Sequence, residues 1–261
     1  MKTLHTDIAV LGAGTAGLAA YRAAKAAGKR ALLIEGGPYG TTCARVGCMP
    51  SKLLIAAAEA AHNAAHTEPF GVHVQGEIAV DGVAVMDRVK RERDRFVGFV
   101  LEGVENIPAE DKIRGYARFV SDTVLRVDEH TEIHASRVVI ATGSRPAVPP
   151  PFRGLGDRLV LNDDVFACDD LPRRVAVFGP GVIGLELGQA LARLGVEVRV
   201  FGVSGSLGGI SDPQVRHSAR KIFQREFYLD PDARVLETQR VGDEVEVRYV
   251  ALDNLSLIHI S

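Results

Sequence analysis

Two cysteines, Cys43 and Cys48, stand five positions apart in a segment that runs into a helical pattern from Ser51 to about His66. Two thiols at this spacing in a loop that enters a helix can close a small disulfide ring. Pro50 suits the first turn of that helix, which places Cys48 beside the helix N-terminus, where the thiolate is favoured. These residue types therefore predict thiol–disulfide redox chemistry.

Two other interpretations of the cysteines remain open: they are half of the ligand set of a zinc site, or they are two unrelated thiols. Zinc usually takes four ligands, and the sequence contains no second Cys pair or Cys–His pair near the first. His62 and His66 stand one helical turn apart, which is more typical of a solvated face than of a ligand pair. The third cysteine, Cys168, is isolated and is interpreted as structural. We therefore expect no metal site.

Two glycine-rich turns recur 167 residues apart, each between a strand pattern and a helical pattern. In such a unit the first glycine makes the tight turn, the second lets a pyrophosphate approach the backbone, and the third lets helix and strand pack closely. The N–H groups at the helix N-terminus then face the phosphates. The sequence predicts two dinucleotide-binding units, whose fingerprint glycines are Gly12, Gly14 and Gly17 in the first and Gly179, Gly181 and Gly184 in the second.

The elements that position these turns follow one plan in both copies. A buried strand precedes each turn, a helix follows it, and a second apolar strand ends at Glu35 in the first copy and at Gly202 in the second. An acidic residue at this place accepts hydrogen bonds from an adenosine ribose. We expect Glu35 to do so, whereas the second copy offers only the hydroxyls and N–H groups of residues 203–206.

Composition excludes several classes of function. The chain has 261 residues, of which 46% are apolar and 25% charged, and its formal net charge of −2 gives no case for nucleic acid or an anionic membrane as a partner. No apolar run approaches the length of a membrane-spanning helix, and the first residues lack the apolar core of a signal peptide. Three cysteines without tryptophan exclude a disulfide-stapled secreted scaffold. We expect a cytoplasmic protein.

Together these features resemble the flavin-dependent pyridine nucleotide–disulfide oxidoreductases, over residues 5–254. The segment from Cys43 to Lys52 is most similar to that of the dihydrolipoyl dehydrogenases. Residues 131–146 are similar to the family's second flavin-contacting motif, and residues 115–117 to its turn at the adenine side. Glutathione reductases commonly carry Lys in place of Ser51, and mercuric reductases share the Pro-Ser-Lys ending.

The resemblance implies a role for each matching residue. Cys48 is implied to be the sulfur next to the flavin and Cys43 the exposed thiol that exchanges with substrate. Lys52 is implied to reach the reacting edge of the flavin, paired with Glu186 across the two domains. The implied FAD contacts are Gly12, Gly14, Gly17, Glu35, Gly36, Thr42, Lys52, Ala117, Ala141, Thr142, Gly143 and Ser144. The implied nicotinamide-side contacts are Gly179, Gly181, Val182, Ile183, Gly184, Glu186 and Gly202.

The resemblance also implies an activity, the oxidation of dihydrolipoamide to lipoamide with NAD⁺ through a Cys43–Cys48 disulfide. NADP remains an alternative to NAD. One alternative function is that of a mercuric or glutathione-type reductase, which uses the same cofactor and cysteine chemistry. The other alternative is a non-catalytic dinucleotide-binding fragment. The implied partners are a small-molecule or lipoyl-domain dithiol and a second copy of the full-length parent.

The expected fold is α/β, with two Rossmann-like domains of the FAD/NAD(P)-binding type. Residues 1–149 are expected to form the FAD domain and residues 150–254 an incomplete nicotinamide domain. The family's later flavin segment and its interface domain with a His–Glu pair have no match here, so we expect a fragment that does not turn over alone. Residues 255–261 resemble a translated sequencing adapter, and we expect a non-native tail that packs poorly. A genuine short strand is the alternative.

Overall fold

The computed structural model describes residues 1–251 and 254–260 of the chain. The chain divides into two compact units, one built from Met1–Met49 and Glu92–Arg145 and the other from Pro50–Arg91 and the residues from Pro146 onward. The predicted domain ranges, 1–149 and 150–254, stay predictions. Each unit is described by itself below.

The first ten α-helices and strands begin with an alternating β-α-β unit, which is followed by three helices and then four strands. In chain order they are β1 (Lys2–Leu11), α1 (Thr15–Ala26), β2 (Ala31–Glu35), α2 (Thr42–Val46), α3 (Cys48–Ala65), α4 (Gly82–Glu105), β3 (Lys112–Arg114), β4 (Ala117–Ser121), β5 (Val124–Val127) and β6 (Thr131–Ile140).

The first unit is built on a six-stranded sheet in the order β3-β2-β1-β6-β5-β4. Strand β1 is parallel to both β2 and β6, whereas β4, β5 and β6 pair antiparallel. Neighbouring residues of a strand point to opposite faces, so Val10 packs in the cluster that contains Leu18 and Tyr21 of α1, while Ala9 packs in a second cluster with Leu125. The sheet is therefore buried on both faces at β1, as a parallel central strand requires.

The remaining α-helices and strands belong to the second unit, which contains two three-stranded sheets. They are β7 (Arg174–Phe178), α5 (Val182–Arg193), β8 (Glu197–Phe201), α6 (Pro213–Phe223), β9 (Tyr228–Asp230), β10 (Arg234–Val241), β11 (Glu244–Ala251) and β12 (Asn254–Ile260). Strands β7, β8 and β9 form a parallel sheet, and β10, β11 and β12 an antiparallel one. The expected α/β fold with Rossmann-like parallel sheets is confirmed.

The end of the chain differs from the expectation that it packs poorly. Strand β12 pairs antiparallel with β11, with Ile258 opposite Val247 and Ile260 opposite Val245. Both isoleucines pack against the buried cluster that holds those two valines and Tyr249. The expectation was wrong because apolar residues at every second position place their side chains on one face, which here is the buried face. Residue 261 lies outside the described residues.

Among the described residues, no helix combines the length and the apolar character that a membrane crossing requires.

Candidate functional site

The first glycine-rich turn joins the end of β1 to the start of α1. Gly12 has φ +99°, a conformation that side chains rarely adopt. A Cβ at Gly12 would collide with the carbonyl oxygen of Ala141, and one at Gly17 with the carbonyl oxygen of Gly12. These two glycines are therefore required for the turn to close against β6 and for α1 to pack on the turn.

Gly14 differs from its neighbours because the space above it is open. A Cβ built there meets no described atom within 4 Å, and Gly14 is the N-cap of α1 without a side-chain hydrogen bond to the helix. Open space over a glycine beside uncapped N-terminal N–H groups is the shape and polarity that a pyrophosphate needs. The residues of this turn therefore fit the phosphates of FAD.

Glu35 is held in place by two backbone N–H groups. Its Oε2 accepts a 2.7 Å hydrogen bond from Ala13 N, and its Oε1 accepts a 2.7 Å hydrogen bond from Gly37 N. A carboxylate has about four acceptor positions, so each oxygen can still accept one hydrogen bond. The fixed carboxylate fits the ribose-binding role expected of Glu35, which remains a prediction.

The segment after β6 lies directly beside the first turn. Ala141 N donates to Leu11 O at 2.8 Å, which continues the pairing of β6 with β1 past the end of both strands. Because the carboxyl ends of parallel strands meet at one edge of a sheet, this places the expected flavin-contacting residues next to Gly12. Those residues are Ala141, Thr142, Gly143 and Ser144.

An exposed aromatic side chain covers the turn after β2. The ring of Tyr116 lies on Gly36, where a Cβ would come within 2.6 Å of a ring carbon. Arg114 lies 4.8 Å from the centroid of the Tyr39 ring and donates to the Gly37 carbonyl at 2.6 Å. The family resemblance predicts that the backbone of residues 115–117 contacts the adenine side of the flavin nucleotide, and Ala117 begins β4. Arg114 and Tyr39 were not predicted to lie at this turn, because no local motif identifies them.

The two cysteines occupy the ends of successive helices. Thr42 begins α2 and Cys43 follows it, while Cys48 begins α3. The side chains of Cys43 and Cys48 hydrogen-bond to each other, and the Cys43 sulfur also accepts from the backbone N–H groups of Cys48 and Met49. No disulfide joins Cys43 to Cys48 in this structure. A redox disulfide between them stays a prediction, and their contact is what such a disulfide requires.

Two details of the cysteines differ from the sequence expectation. Cys48 is exposed and Cys43 is half-buried, whereas Cys43 was expected to be the exposed thiol. The second difference is that the first N–H groups of α3, expected to favour the Cys48 thiolate, donate to the Cys43 sulfur. Burial raises the pKa of the Cys43 thiol and the neighbouring sulfur adds to this, while the two backbone N–H groups oppose the rise.

The predicted ion pair between Lys52 and Glu186 is present within the second unit. Lys52 Nζ lies 2.9 Å from Glu186 Oε2, with the two side chains 62% and 27% exposed. The expectation was a pair across two domains, but both residues belong to one compact unit. Its role beside a flavin stays a prediction.

Ser51 completes this cluster, and its hydroxyl donates to the Glu186 carboxylate from a buried position. Burial raises the pKa of Glu186, but the hydrogen bonds from Lys52 and Ser51 and the Lys52 charge outweigh it, so the pKa lies below its ordinary value. The sequence distinguished Ser51 only as a position at which the subfamilies differ, and it was not predicted to be a site residue. Its position directly before Lys52 was the sequence feature that could have placed it in this cluster.

The second glycine-rich turn repeats the first in its main features. Gly179 has φ +114°, and a Cβ at Gly184 would collide with the Gly179 carbonyl oxygen. Gly181 is the N-cap of α5, with no described atom within 4 Å of a Cβ. The exposed side chains of Val182 and Ile183 begin the helix. This second open cradle fits the phosphates of a nicotinamide dinucleotide.

Gly202 follows β8 at the position that matches Glu35. A Cβ there would lie 2.5 Å from Cγ of Pro180 and 2.7 Å from the carbonyl oxygen of Pro231. The backbone N–H of Gly202 donates to Asp230 O at 2.8 Å. Gly202 therefore contributes only backbone atoms at this end of the sheet.

Comparison with known proteins identifies the family. The sequence profile described as pyridine nucleotide-disulphide oxidoreductase matches residues 6–254. The chain belongs to this family. It is 31% identical over 251 residues to a dihydrolipoyl dehydrogenase of Chlamydia trachomatis, and this match covers 92% of this chain and 52% of that enzyme. It is 34% identical over 208 residues to dihydrolipoyl dehydrogenase 2 of Haloarcula marismortui, with 76% of this chain and 43% of that enzyme covered.

Solved structures agree in fold. The Cu(II) complex of a cysteine-to-serine mutant of RclA, an HOCl-induced flavoprotein disulfide reductase from Escherichia coli, superposes with a TM-score of 0.80 at 21% identity, covering 98% of this chain and 55% of that one. The Cu(II) complex of RclA itself gives a TM-score of 0.77 at 23% identity, with 96% and 54% covered. The chain thus spans about half the length of the relatives it matches.

A metal site was not expected, and within residues 1–251 and 254–260 no three His, Cys, Asp or Glu side chains come together as metal ligands. The rings of His62 and His66 stack with centroids 4.1 Å apart, and His66 Nδ1 lies 2.7 Å from the His62 carbonyl oxygen. This contact to the backbone occupies one ring nitrogen of His66.

Proposed function

We propose that this chain is the dinucleotide-binding part of an FAD-dependent dihydrolipoyl dehydrogenase-type enzyme, which oxidises a dihydrolipoamide-type dithiol and reduces a nicotinamide dinucleotide. The observation that carries the proposal is the contact between the Cys43 and Cys48 side chains in a chain that also has two open phosphate cradles. The dihydrolipoyl dehydrogenases among its relatives support the substrate class.

In this proposal the first cradle holds FAD. Gly12, Gly14 and Gly17 bind the pyrophosphate, and Glu35 accepts hydrogen bonds from the adenosine ribose. Bound FAD supplies the chemistry that carries two electrons from the cysteine pair to the nicotinamide. The second cradle, at Gly181, binds the pyrophosphate of the nicotinamide dinucleotide.

The cysteines carry out the thiol exchange. A substrate thiolate attacks the Cys43 sulfur of the oxidised pair, the Cys43–Cys48 bond breaks, and Cys48 leaves as a thiolate. The second substrate thiol then gives up its proton and attacks the substrate sulfur bonded to Cys43, which releases the substrate as a disulfide and Cys43 as a thiolate that takes up this proton. Two electrons have then passed from substrate to protein. The N–H groups of Cys48 and Met49 stabilise negative charge on Cys43 during its release.

Lys52 and Glu186 supply fixed charge in this proposal. The 2.9 Å contact and the Ser51 hydroxyl hold the Glu186 carboxylate ionised. The carboxylate in turn orients the Lys52 ammonium, which presents a positive charge where negative charge develops on a reduced cofactor.

The test uses the full 261-residue chain reconstituted with FAD. Anaerobic addition of dihydrolipoamide is expected to reduce the flavin absorbance near 450 nm, and the Cys43→Ser variant is expected to retain FAD but lose this reduction. Cys168→Ser is the matched control, because Cys168 lies outside the cysteine pair.

Three outcomes contradict the proposal. Reduction by NADH together with reoxidation by glutathione disulfide or by Hg²⁺, without reaction of dihydrolipoamide, assigns another substrate. Binding of FAD without reduction by any thiol assigns a non-catalytic fragment. Equal reduction in Cys43→Ser and wild type removes the cysteine pair from the mechanism.

A further inference from the structure

The two fingerprints differ in one pair of residues that contact each other. In the first unit Ala13 N donates at 2.7 Å to the carboxylate of Glu35. The corresponding residues of the second unit, 167 positions later, are Pro180 and Gly202. Proline has no N–H to donate and glycine has no carboxylate to accept, so both halves of the interaction are replaced together.

The replacement leaves no space for an acidic side chain. The Pro180 ring would lie 2.5 Å from a Cβ at position 202, and the Pro231 carbonyl oxygen closes the other side at 2.7 Å. Real Cβ atoms do not approach other atoms this closely, and neither neighbour is the mobile end of a long side chain. Pro180 is itself held, since its carbonyl oxygen accepts from Gly208 N at 2.7 Å.

The surrounding acidic groups do not substitute for the missing carboxylate. Residues 203–211 contain no Asp or Glu. Asp212 Oδ1 caps α6 by accepting from Gln214 N at 2.8 Å. Asp230 is buried, and its Oδ1 accepts from Asp232 N at 3.1 Å. The exposed loop after Gly202 instead presents the hydroxyls of Ser204 and Ser206.

A carboxylate at the end of the second strand has two effects on a dinucleotide. It accepts hydrogen bonds from the ribose 2′-hydroxyl of NAD, and it repels the 2′-phosphate of NADP. A site without it loses both effects. We infer that the second fingerprint accepts the adenosine 2′-phosphate, with the Pro180–Gly202 contact as the feature that determines this specificity, so that NADPH binds at least as tightly as NADH. This rests on the proposed function, in which the second cradle binds a nicotinamide dinucleotide.

Equilibrium binding tests the inference without catalysis. The FAD-loaded 261-residue chain, its flavin first reduced anaerobically with dithionite so that no hydride transfer follows, is titrated with NADH and with NADPH. Binding is followed by reduced-nicotinamide fluorescence, and 5′-AMP and adenosine 2′,5′-bisphosphate are titrated by calorimetry. We expect the NADPH dissociation constant to equal that of NADH or to lie below it, and the bisphosphate to bind at least as tightly as 5′-AMP. A preference of about tenfold or more for NADH, which corresponds to about 1.4 kcal/mol, overturns the inference and leaves the proposed function intact. Failure of both dinucleotides to bind overturns the proposed second site as well.

Variants test the role of the contact itself. Gly202→Glu alone is expected to lose thermal stability, because the new side chain collides with the Pro180 ring. Pro180→Ala with Gly202→Glu places an N–H and a carboxylate where the first unit has Ala13 and Glu35, and the Pro231 carbonyl oxygen must shift to admit the new side chain. This double variant is expected to shift the NADH/NADPH affinity ratio toward NADH by about tenfold. Pro180→Ala alone, measured beside it, isolates the loss of the ring. A folded double variant with an unshifted ratio contradicts the role assigned to the pair, and the wild-type titration decides the inference if the double variant does not fold.

Discussion

Lys52 Nζ and Glu186 Oε2 lie 2.9 Å apart, and the buried Ser51 hydroxyl reaches the same carboxylate. Lys52 Nζ approaches from α3, whose first residue is Cys48, and Glu186 from α5, two residues after the last glycine of the second fingerprint. One helix thus carries both a proposed redox sulfur and the lysine of the charged cluster, four residues apart along the chain.

Lys52→Met is expected to cost less than about 1 kcal/mol of unfolding free energy at pH 7, since Lys52 is 62% exposed and exposed ion pairs contribute little. The pKa of Glu186 is depressed in the folded chain, so the contribution of the pair is present above the unfolded carboxyl pKa and is lost as pH falls through the folded value. Urea unfolding of wild type and variant at several pH values measures this. The difference should disappear in acid; one that grows as pH falls contradicts the assignment. Lys221→Met, an exposed lysine on α6, is the control.

Gly14→Ala is expected to weaken FAD binding without affecting folding, whereas Gly17→Ala is expected to destabilise the fold itself. Gly14 has an extended backbone, φ −77° and ψ −173°, and an open Cβ position, so alanine fits the free chain but occupies the space proposed for the pyrophosphate. Its apparent melting temperature should stay near that of wild type while FAD affinity falls at least about tenfold. Gly17→Ala collides with the Gly12 carbonyl and should cost more than about 2 kcal/mol of stability without any ligand. Thermal unfolding and FAD titration of both variants check this. Unchanged FAD affinity in Gly14→Ala would remove the cradle from the proposed site.

Cys43 is expected to be alkylated slowly at neutral pH. Burial raises the pKa of its thiol, so the reactive thiolate forms at a higher pH than in an ordinary cysteine. Iodoacetamide labelling followed by peptide mass spectrometry, as a function of pH, gives the rate at each cysteine. The Cys48→Ser variant removes the neighbouring sulfur and should reverse only part of the rise in the Cys43 pKa, because burial is the larger cause. Labelling of Cys43 at pH 7 faster than that of free cysteine would contradict this.

Ile258→Ser is expected to destabilise the second unit by about 1–3 kcal/mol, because it places a hydroxyl against the fully buried Val247. Leu257 is the matched control, since it is adjacent in β12 but 50% exposed. Leu257→Ser should cost less than about 0.5 kcal/mol. Guanidinium unfolding of both variants measures the difference. Equal and negligible effects would mean that β12 contributes nothing to packing.

The repeated strand–turn–helix unit was predictable because its causes are local. Gly12 and Gly179 follow apolar strands and need a backbone that side chains avoid, and α1 and α5 follow at once. The pairing of Lys52 with Glu186 was accessible through family resemblance, although 134 positions separate them.

Other features depend on contacts that sequence spacing does not encode. The N–H groups that reach the Cys43 sulfur come from the next helix, and their target depends on how α2 turns into α3. The contact between Pro180 and Gly202 requires β7 and β8 to be aligned in space. The packing of the tail was not predicted because a short apolar run has no fixed partner until β11 provides an open edge with matching alternation.

The Pro180–Gly202 contact also limits the order in which substitutions could accumulate. A glutamate acquired at position 202 while Pro180 remains would meet the ring before it could serve any ligand. Loss of the proline first opens that side and supplies an N–H, which leaves the Pro231 carbonyl oxygen to shift when an acidic residue follows. A library that varies both positions together should therefore yield acidic residues at 202 only in clones that have already lost the proline.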